Sequence, residues 1–215
     1  MNRNAFNKTA RAYDKATTNV SETYKEQRII LQRLIPDNGF ILDAACGPGR
    51  DVKYYAQKGY KVIGIDISEK LLNIAKKKTK KLKNVDLYLM DMTNIDLPED
   101  SIDGILCSAG LLCLSKSDAD KAVKEFNRVL KPKGIIYSSI KMGDGEKVEF
   151  DKRFKVDKFT SYYSSEEFKN LFENNGFIQR VAINYVSVEE LNRQFHSHNW
   201  IWGVFEKKNQ NQKKR

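Results

Sequence analysis

The sequence predicts an α/β fold in which a mostly parallel β-sheet is covered by helices on both faces. Five short apolar runs between residues 40 and 140 alternate with amphipathic stretches of helical length, which is the pattern of successive βαβ units. The chain has 215 residues, of which 40% are hydrophobic. This length and this composition are enough for one domain with a sizeable core.

The predicted elements follow in chain order. The N-terminal segment 1–36 contains two helices, at about 3–14 and 21–34. After it come strands at 40–45, 61–66, 85–90, 102–108 and 134–140, with helices at about 50–58, 69–82 and 117–130. Crossover connections of this length are expected to keep the five strands parallel.

The last third of the chain changes character. Residues 164–167 (Ser-Ser-Glu-Glu) and 187–190 (Ser-Val-Glu-Glu) each have the pattern of a capping box that opens a helix, and Gly176 ends the first of these helices. Two further strands are expected at 177–186 and 200–205. The roughly 13 residues between them allow the last strand to pair antiparallel near the sheet edge.

We expect a single domain over residues 1–206. Within it, the segment 141–163 is long for a plain connection and carries Gly143, Gly145 and many charges, so we predict a lid or an acceptor-binding insert. Residues 207–215 are basic and have no apolar anchors, and we predict a disordered tail there.

The net charge of +10 comes from two places. Of the 38 Lys and Arg residues, six lie at 76–83 and five at 207–215, and the other 27 face 28 acidic residues. The run at 76–83 suits the C-terminal end of a helix. We therefore favour a solvated surface at both places, with nucleic acid as the less favoured partner.

Other features of the composition narrow the class of protein. No run of 18 apolar residues occurs, so neither a transmembrane helix nor a membrane partner is expected. An odd number of cysteines, three, disfavours a disulfide scaffold and favours a reducing cytoplasm. No Cys-x-x-Cys or His-x-x-x-His spacing occurs, so we predict no metal site.

The most informative segment is residues 42–50, Leu-Asp-Ala-Ala-Cys-Gly-Pro-Gly-Arg, between the first strand and the next helix. Gly47 and Gly49 allow a sharp turn and a close approach of the backbone to a ligand. Asp66 ends the second strand, where an acid can accept hydrogen bonds from ribose hydroxyls; the alternative is a helix cap beside Ser68. The sequence favours a ribose-bearing ligand at the carboxyl ends of the strands.

The glycine pattern of this segment disfavours a dinucleotide. Val52 occupies the third glycine position of G-x-G-x-x-G, and Asp43 would repel a pyrophosphate. A carboxylate at this place suits a ligand with cationic groups, and S-adenosylmethionine (SAM) has both a sulfonium and an ammonium group.

With these residues the sequence resembles the class I, Rossmann-like, SAM-dependent methyltransferases. Their first motif is an acid followed by G-x-G-x-G; here it is Asp43 followed by Ala45, Gly47 and Gly49, with Ala45 in place of the first glycine. The resemblance covers residues 38–140. It implies a seven-stranded sheet of order 3-2-1-4-5-7-6 in which strand seven is antiparallel.

The resemblance also implies a cofactor site. The residues assigned to SAM binding are Tyr13, Asp43, Ala45, Gly47, Gly49, Asp66, Ile67, Asp91, Met92 and Ser108. Ile67 and Met92 would pack beside the adenine, and Asp91 would accept from its amine, the alternative for Asp91 being a turn residue. Tyr13 would cover the methionine moiety, the alternative being a place in an amphipathic core helix.

The predicted function is SAM-dependent transfer of a methyl group to a small-molecule acceptor by in-line displacement. The alternatives are a methyltransferase acting on tRNA or another nucleic acid, and a non-catalytic SAM-binding module. His196 and His198 lie in the loop before the last strand, and His198 is the predicted base or acceptor contact, the alternative being a surface histidine. Candidates for the acceptor pocket are Lys141, Met142, Asp144, Glu146, Tyr162 and Tyr163.

Overall fold

A computed structural model of the protein describes residues 1–18, 22–186 and 199–209. The helices are α1 (Asn2–Thr18), α2 (Glu22–Leu34), α3 (Arg50–Gln57), α4 (Glu69–Thr79), α5 (Lys116–Val129) and α6 (Ser165–Glu173). The strands are β1 (Phe40–Ala44), β2 (Lys61–Asp66), β3 (Val85–Leu89), β4 (Ile102–Ser108), β5 (Leu130–Lys141), β6 (Glu146–Asp151), β7 (Val156–Ser161), β8 (Phe177–Val186) and β9 (Trp200–Lys207). His196, His198 and the second predicted capping box lie outside the described residues.

Seven strands form one sheet in the order β3-β2-β1-β4-β5-β9-β8. Strands β1 to β5 run parallel, and β9 pairs antiparallel with both β5 and β8. Counted within this sheet, β8 and β9 are the sixth and seventh strands, so the predicted order 3-2-1-4-5-7-6 is confirmed. The first predicted capping box is present too, with Ser164 and Glu167 bonded reciprocally at the start of α6.

Side chains of the central strands alternate between two apolar clusters. Leu42 and Ala44 of β1 belong to the cluster that includes residues of α5 and α6. Ile41 belongs to the cluster on the other face, with residues of α2, α3 and α4. Because successive strand residues point to opposite faces, a strand buried on both faces must be apolar throughout. The unbroken apolar runs of the sequence have this cause.

The insert between β5 and α6 is a β-hairpin. Strands β6 and β7 pair antiparallel as a separate two-stranded sheet, from Glu146 opposite Ser161 to Asp151 opposite Val156. Sequence analysis predicted a lid or an insert here but no strands. Val148 and Phe150 of β6 are more than half exposed, so the hairpin has little of the apolar burial that marks the central strands.

Two element bounds differ from the prediction. Strand β5 begins at Leu130 rather than residue 134, because Leu130 pairs with Ile102 ahead of a register shift. Strand β9 continues to Lys207, which pairs with Phe177 of β8. The Lys207 ammonium is buried and donates to Asp100 Oδ1 at 2.6 Å and to the Leu130 carbonyl at 2.7 Å. The predicted start of a disordered tail at residue 207 is therefore wrong.

None of the helices in the described parts of the chain has the length and apolar character needed to cross a membrane.

Candidate active site

A cavity of about 640 Å³ lies where the parallel strands β1 to β4 end. Eight of the ten residues predicted to bind SAM line it: Tyr13, Ala45, Gly47, Asp66, Ile67, Asp91, Met92 and Ser108. Asp43 lines an adjoining cavity on the other side of Gly47. The strand ends and helix α1 therefore bring nine of the ten predicted residues to one place.

The bend after β1 contains three residues with left-handed backbone, Ala45 (φ 67°), Gly47 (φ 54°) and Gly49 (φ 75°). A Cβ added at Gly47 would meet only the Tyr13 ring, at 3.9 Å, so the backbone there faces open space. A Cβ added at Gly49 would lie 2.7 Å from Ala75 Cβ. Gly47 thus leaves room for a ligand, whereas Gly49, which sequence analysis assigned to the ligand, allows the start of α3 to pack on α4.

Asp66 joins the glycine bend to the start of α4. Its Oδ2 accepts from the Gly47 amide and its Oδ1 from the Ser68 amide, each at 2.8 Å. Burial raises the pKa of the Asp66 carboxyl, and these amide hydrogen bonds act in the opposite direction. A carboxylate offers about four lone-pair sites, so two bonds leave acceptor capacity for ribose hydroxyls. Both interpretations of Asp66, cap and ribose ligand, are compatible with this geometry.

Asp91 and Met92 form the opposite wall. Asp91 Oδ1 accepts from the amide and the hydroxyl of Thr93, both at 2.9 Å, which is the turn role named as the alternative. Asp91 is exposed and also lines the cavity, while Met92 is buried in the apolar cluster beneath it. The turn bonds hold the Asp91 carboxylate at the cavity edge with one oxygen unused within the described structure.

Asp43 is buried, and its Oδ2 has no hydrogen-bond partner among the described residues. Burial raises the pKa of Asp43 well above its ordinary value, and the nearby Asp51 carboxylate raises it further. The positive charges of Arg28 and Arg50 act to lower the pKa of Asp43, but each of these side chains makes a 2.6 Å ion pair with Asp51. A cationic ligand group beside Asp43 would supply the missing partner, which is the fit expected for the charge of SAM.

Helix α1 forms a roof over this cavity. The Tyr13 ring packs against Phe6 at 5.5 Å and against Phe154 of the hairpin turn at 5.7 Å between centroids. Asn2 Nδ2 donates to the carbonyls of Cys113 and Phe159, and the Phe159 amide donates back to Asn2 Oδ1, each at 2.9 Å. Sequence analysis missed Asn2 and Phe6; Phe6 and Tyr13 are seven residues apart, which places them on one helix face.

A second cavity, of about 940 Å³, adjoins the first. The two share four lining residues, Phe6, Tyr13, Ala109 and Cys113. Of the six candidates for the acceptor pocket, only Lys141 lines it; Met142, Asp144, Glu146, Tyr162 and Tyr163 do not. Sequence analysis missed the hairpin residues that do line it, Asp151, Arg153, Phe154, Lys158, Phe159 and Thr160. The alternation in residues 146–151, Glu-Lys-Val-Glu-Phe-Asp, was the available signal for this strand.

Comparisons with known proteins agree with this geometry. The sequence profile of the methyltransferase domain family matches residues 41–134. The malonyl-[acyl-carrier protein] O-methyltransferase of Yersinia pestis is 34% identical over 137 residues, which cover 63% of this chain and 48% of that protein. The demethylmenaquinone methyltransferase of Staphylococcus aureus is 27% identical over 206 residues, 91% of this chain and 83% of that protein. The chain spans about half the length of the curated relatives that it matches at 34% identity.

Solved structures share the fold. The 1,6-didemethyltoxoflavin-N1-methyltransferase of Burkholderia thailandensis, crystallised with 1,6-didemethyltoxoflavin and S-adenosylhomocysteine, has a TM-score of 0.79 at 17% identity, over 96% of this chain and 87% of that one. Residues 41–134 therefore match the methyltransferase domain family, and the seven-stranded sheet has the same fold as this solved methyltransferase.

Proposed function

We propose that the protein transfers a methyl group from SAM to a small-molecule acceptor. One observation carries the proposal: the cavity at the strand ends adjoins a second one, and Phe6, Tyr13, Ala109 and Cys113 line both. A donor in the first cavity and an acceptor in the second would meet at this shared boundary. Holding two reactants in line can contribute about 7–11 kcal/mol toward the barrier.

Particular residues would hold the donor. SAM supplies a methyl group already activated on a sulfonium. Asp66 would accept from the ribose hydroxyls, Asp91 and Met92 would contact the adenine, and Asp43 would lie near the cationic end. Gly47 would let the backbone approach the ligand, and Tyr13 would separate it from water. His198 stays a predicted base or acceptor contact outside the described residues.

The relatives support a small acceptor. The Staphylococcus aureus relative is named for demethylmenaquinone, and the Burkholderia thailandensis structure contains 1,6-didemethyltoxoflavin. We propose that one domain carries both cavities and that the hairpin is its acceptor-binding insert. We also place the protein in a reducing cytoplasm, because Cys46, Cys107 and Cys113 are free thiols.

A nucleic-acid acceptor is less favoured. Of the eleven basic residues that make up the charge excess, Lys78 pairs with Asp14 and Lys207 is buried against Asp100. These two are used within the fold rather than presented to phosphates. Loss of RNA affinity on neutralising Lys76 and Lys77, with a reduced salt dependence, would instead favour the nucleic-acid alternative.

Equilibrium binding of SAM tests the proposal. A hundredfold excess of SAM over its Kd should stabilise the fold by about 2.7 kcal/mol, measured by thermal unfolding. Asp91→Asn should weaken SAM binding about tenfold, while Asp86→Asn, at an exposed site on the neighbouring strand β3, should not. If SAM does not bind, both the enzyme and the binding-module interpretations fail. If SAM binds, release of S-adenosylhomocysteine with an acceptor panel separates the two.

A further inference from the structure

The second cavity has an excess of positive charge. Four cationic side chains line it, Arg50, Lys141, Arg153 and Lys158, against one acidic side chain, Asp151. Arg50 already pairs with Asp51, which is not among the residues that line this cavity. The imbalance therefore lies on the hairpin side and at the end of β5.

Asp151 is shared between two of these cations. Its Oδ2 lies 3.2 Å from Lys158 Nζ and 3.3 Å from Arg153 Nη2. The Lys158 side chain is only 14% exposed, and its ammonium stands 4.3 Å from the Phe154 ring centroid and 4.9 Å from that of Phe6. One carboxylate thus faces two positive charges, of which the Lys158 ammonium has lost much of its water.

Lys141 is the last residue of β5 and lines the cavity. No carboxylate of the described residues lies within 4 Å of its ammonium, and the Tyr162 ring centroid is 5.6 Å away. Burial lowers the pKa of both Lys141 and Lys158. Burial raises the pKa of the nearby Cys113 thiol to about 12, so that thiol is neutral and supplies no compensating charge. Partly buried cations of this kind are stabilised by an anionic partner.

Five of the other twelve lining residues are aromatic. Phe6, Tyr13, Phe154, Phe159 and Trp200 contribute to the walls. Such walls suit a flat apolar body, and the lysines suit a negative group attached to it. The reacting atom has to lie at the boundary with the first cavity, near Cys113 and Ala109, so the negative group would lie on the side of the two lysines.

We propose that the methyl acceptor is a small aromatic anion whose carboxylate or phosphate group is held by Lys141 and Lys158. This inference rests on the proposed function, because it assigns the second cavity to the acceptor. Lys141 and Lys158 are specificity residues in this assignment: they select the acceptor by charge, and the aromatic walls select it by shape.

Matched probes test the charge. The full chain is first loaded with S-adenosylhomocysteine. It is then titrated with two pairs of probes, each an anion and a neutral analogue: 4-hydroxybenzoate with 4-hydroxybenzamide, and phenyl phosphate with phenol. Binding is followed by tryptophan fluorescence, because Trp200 lines the cavity. At least one anion should bind about tenfold or more tightly than its neutral analogue. The pair with the larger difference in affinity shows whether the site prefers a carboxylate or a phosphate group. Lys141→Met and Lys158→Met should each remove most of this preference, and Lys141→Arg should retain it.

Lys152→Met is the control, because Lys152 is exposed in the hairpin turn and does not line the cavity. Equal binding of charged and neutral probes would overturn the inference, as would no binding of either anion at millimolar concentration or an equal loss in Lys152→Met. In those cases a normal thermal shift with S-adenosylhomocysteine leaves the proposed function intact. Absence of that shift would instead contradict the proposed function itself.

Discussion

The two cavities of the site are built in different ways. The first is lined mainly by residues at or just after the ends of the parallel strands, so its position depends on the topology of the sheet backbone. The second collects side chains from α1, the end of β5, the hairpin and the start of β9, which are far apart in the sequence. Consequently, short motifs specify the first cavity, whereas tertiary packing specifies the second. The difference predicts that backbone changes damage the first region and side-chain changes damage the second.

Two glycines with the same backbone conformation make the sharpest test. Gly49 (φ 75°) packs on Ala75, whereas Gly145 (φ 74°), before the hairpin, has nothing within 4 Å of an added Cβ. Both substitutions to alanine incur left-handed strain of about 1–2 kcal/mol. Gly49→Ala adds an overpacking cost of about 1–3 kcal/mol. We expect a loss in the free energy of unfolding of about 2–5 kcal/mol for Gly49→Ala and about 1–2 kcal/mol for Gly145→Ala.

Urea unfolding of both variants measures the contrast. Equal losses would mean that α4 moves aside at no cost, and that the close contact between α3 and α4 does not constrain the bend.

The same contrast explains what the sequence could predict. The central strands, such as the one that contains Ile41 and Leu42, can be recognised in the sequence because burial on both faces of the sheet produces a continuous apolar run. The hairpin has only the short alternation of residues 146–151 as a signal, because Val148 and Phe150 are exposed and the contacts of the hairpin with α1 are tertiary. Gly49 was assigned to the ligand because close approach to a ligand and close approach of a helix require the same residue. The burial of Lys207 depends on Asp100, more than a hundred residues away.

Asn2 allows a test of the second cavity, whose structure depends on side-chain packing. Asn2→Ala removes three hydrogen bonds between α1, the Cys113 carbonyl and the Phe159 backbone. Leaving buried polar groups unpaired costs about 1–3 kcal/mol, and we expect that loss to appear as local opening of the roof. Hydrogen exchange at the Phe159 amide should accelerate about tenfold or more. The exposed Asn4→Ala on the same helix is the control, and acceleration in both variants would assign the effect to the helix rather than to these bonds.

The buried Asp43 carboxyl, beside the first cavity, should make the free energy of unfolding depend on pH. For an acid whose pKa is raised on folding, the native state binds protons more tightly, so the free energy of unfolding falls as pH rises from about 4 through the raised pKa. Each unit of difference in pKa contributes about 1.4 kcal/mol. Asp43→Asn should flatten this fall in ligand-free protein while weakening SAM binding about tenfold. Chemical unfolding at several pH values checks the slope, and an unchanged slope would mean that Asp66, whose pKa burial also raises, dominates it.

Ala45 gives the smallest expected effect. It holds a left-handed conformation (φ 67°) at the position where the family motif has glycine. Ala45→Gly relieves strain of about 1–2 kcal/mol but restores about 0.4–1 kcal/mol of freedom to the unfolded chain. The net gain in the free energy of unfolding should be about 0.5 kcal/mol, measured by urea unfolding. SAM affinity should stay within about twofold, because the Ala45 methyl group packs toward Gly110 and the backbone that faces open space is that of Gly47. A loss of stability would show that the Ala45 methyl contributes more by packing than its backbone costs, and would move this residue from the motif-defined region to the packing-defined one.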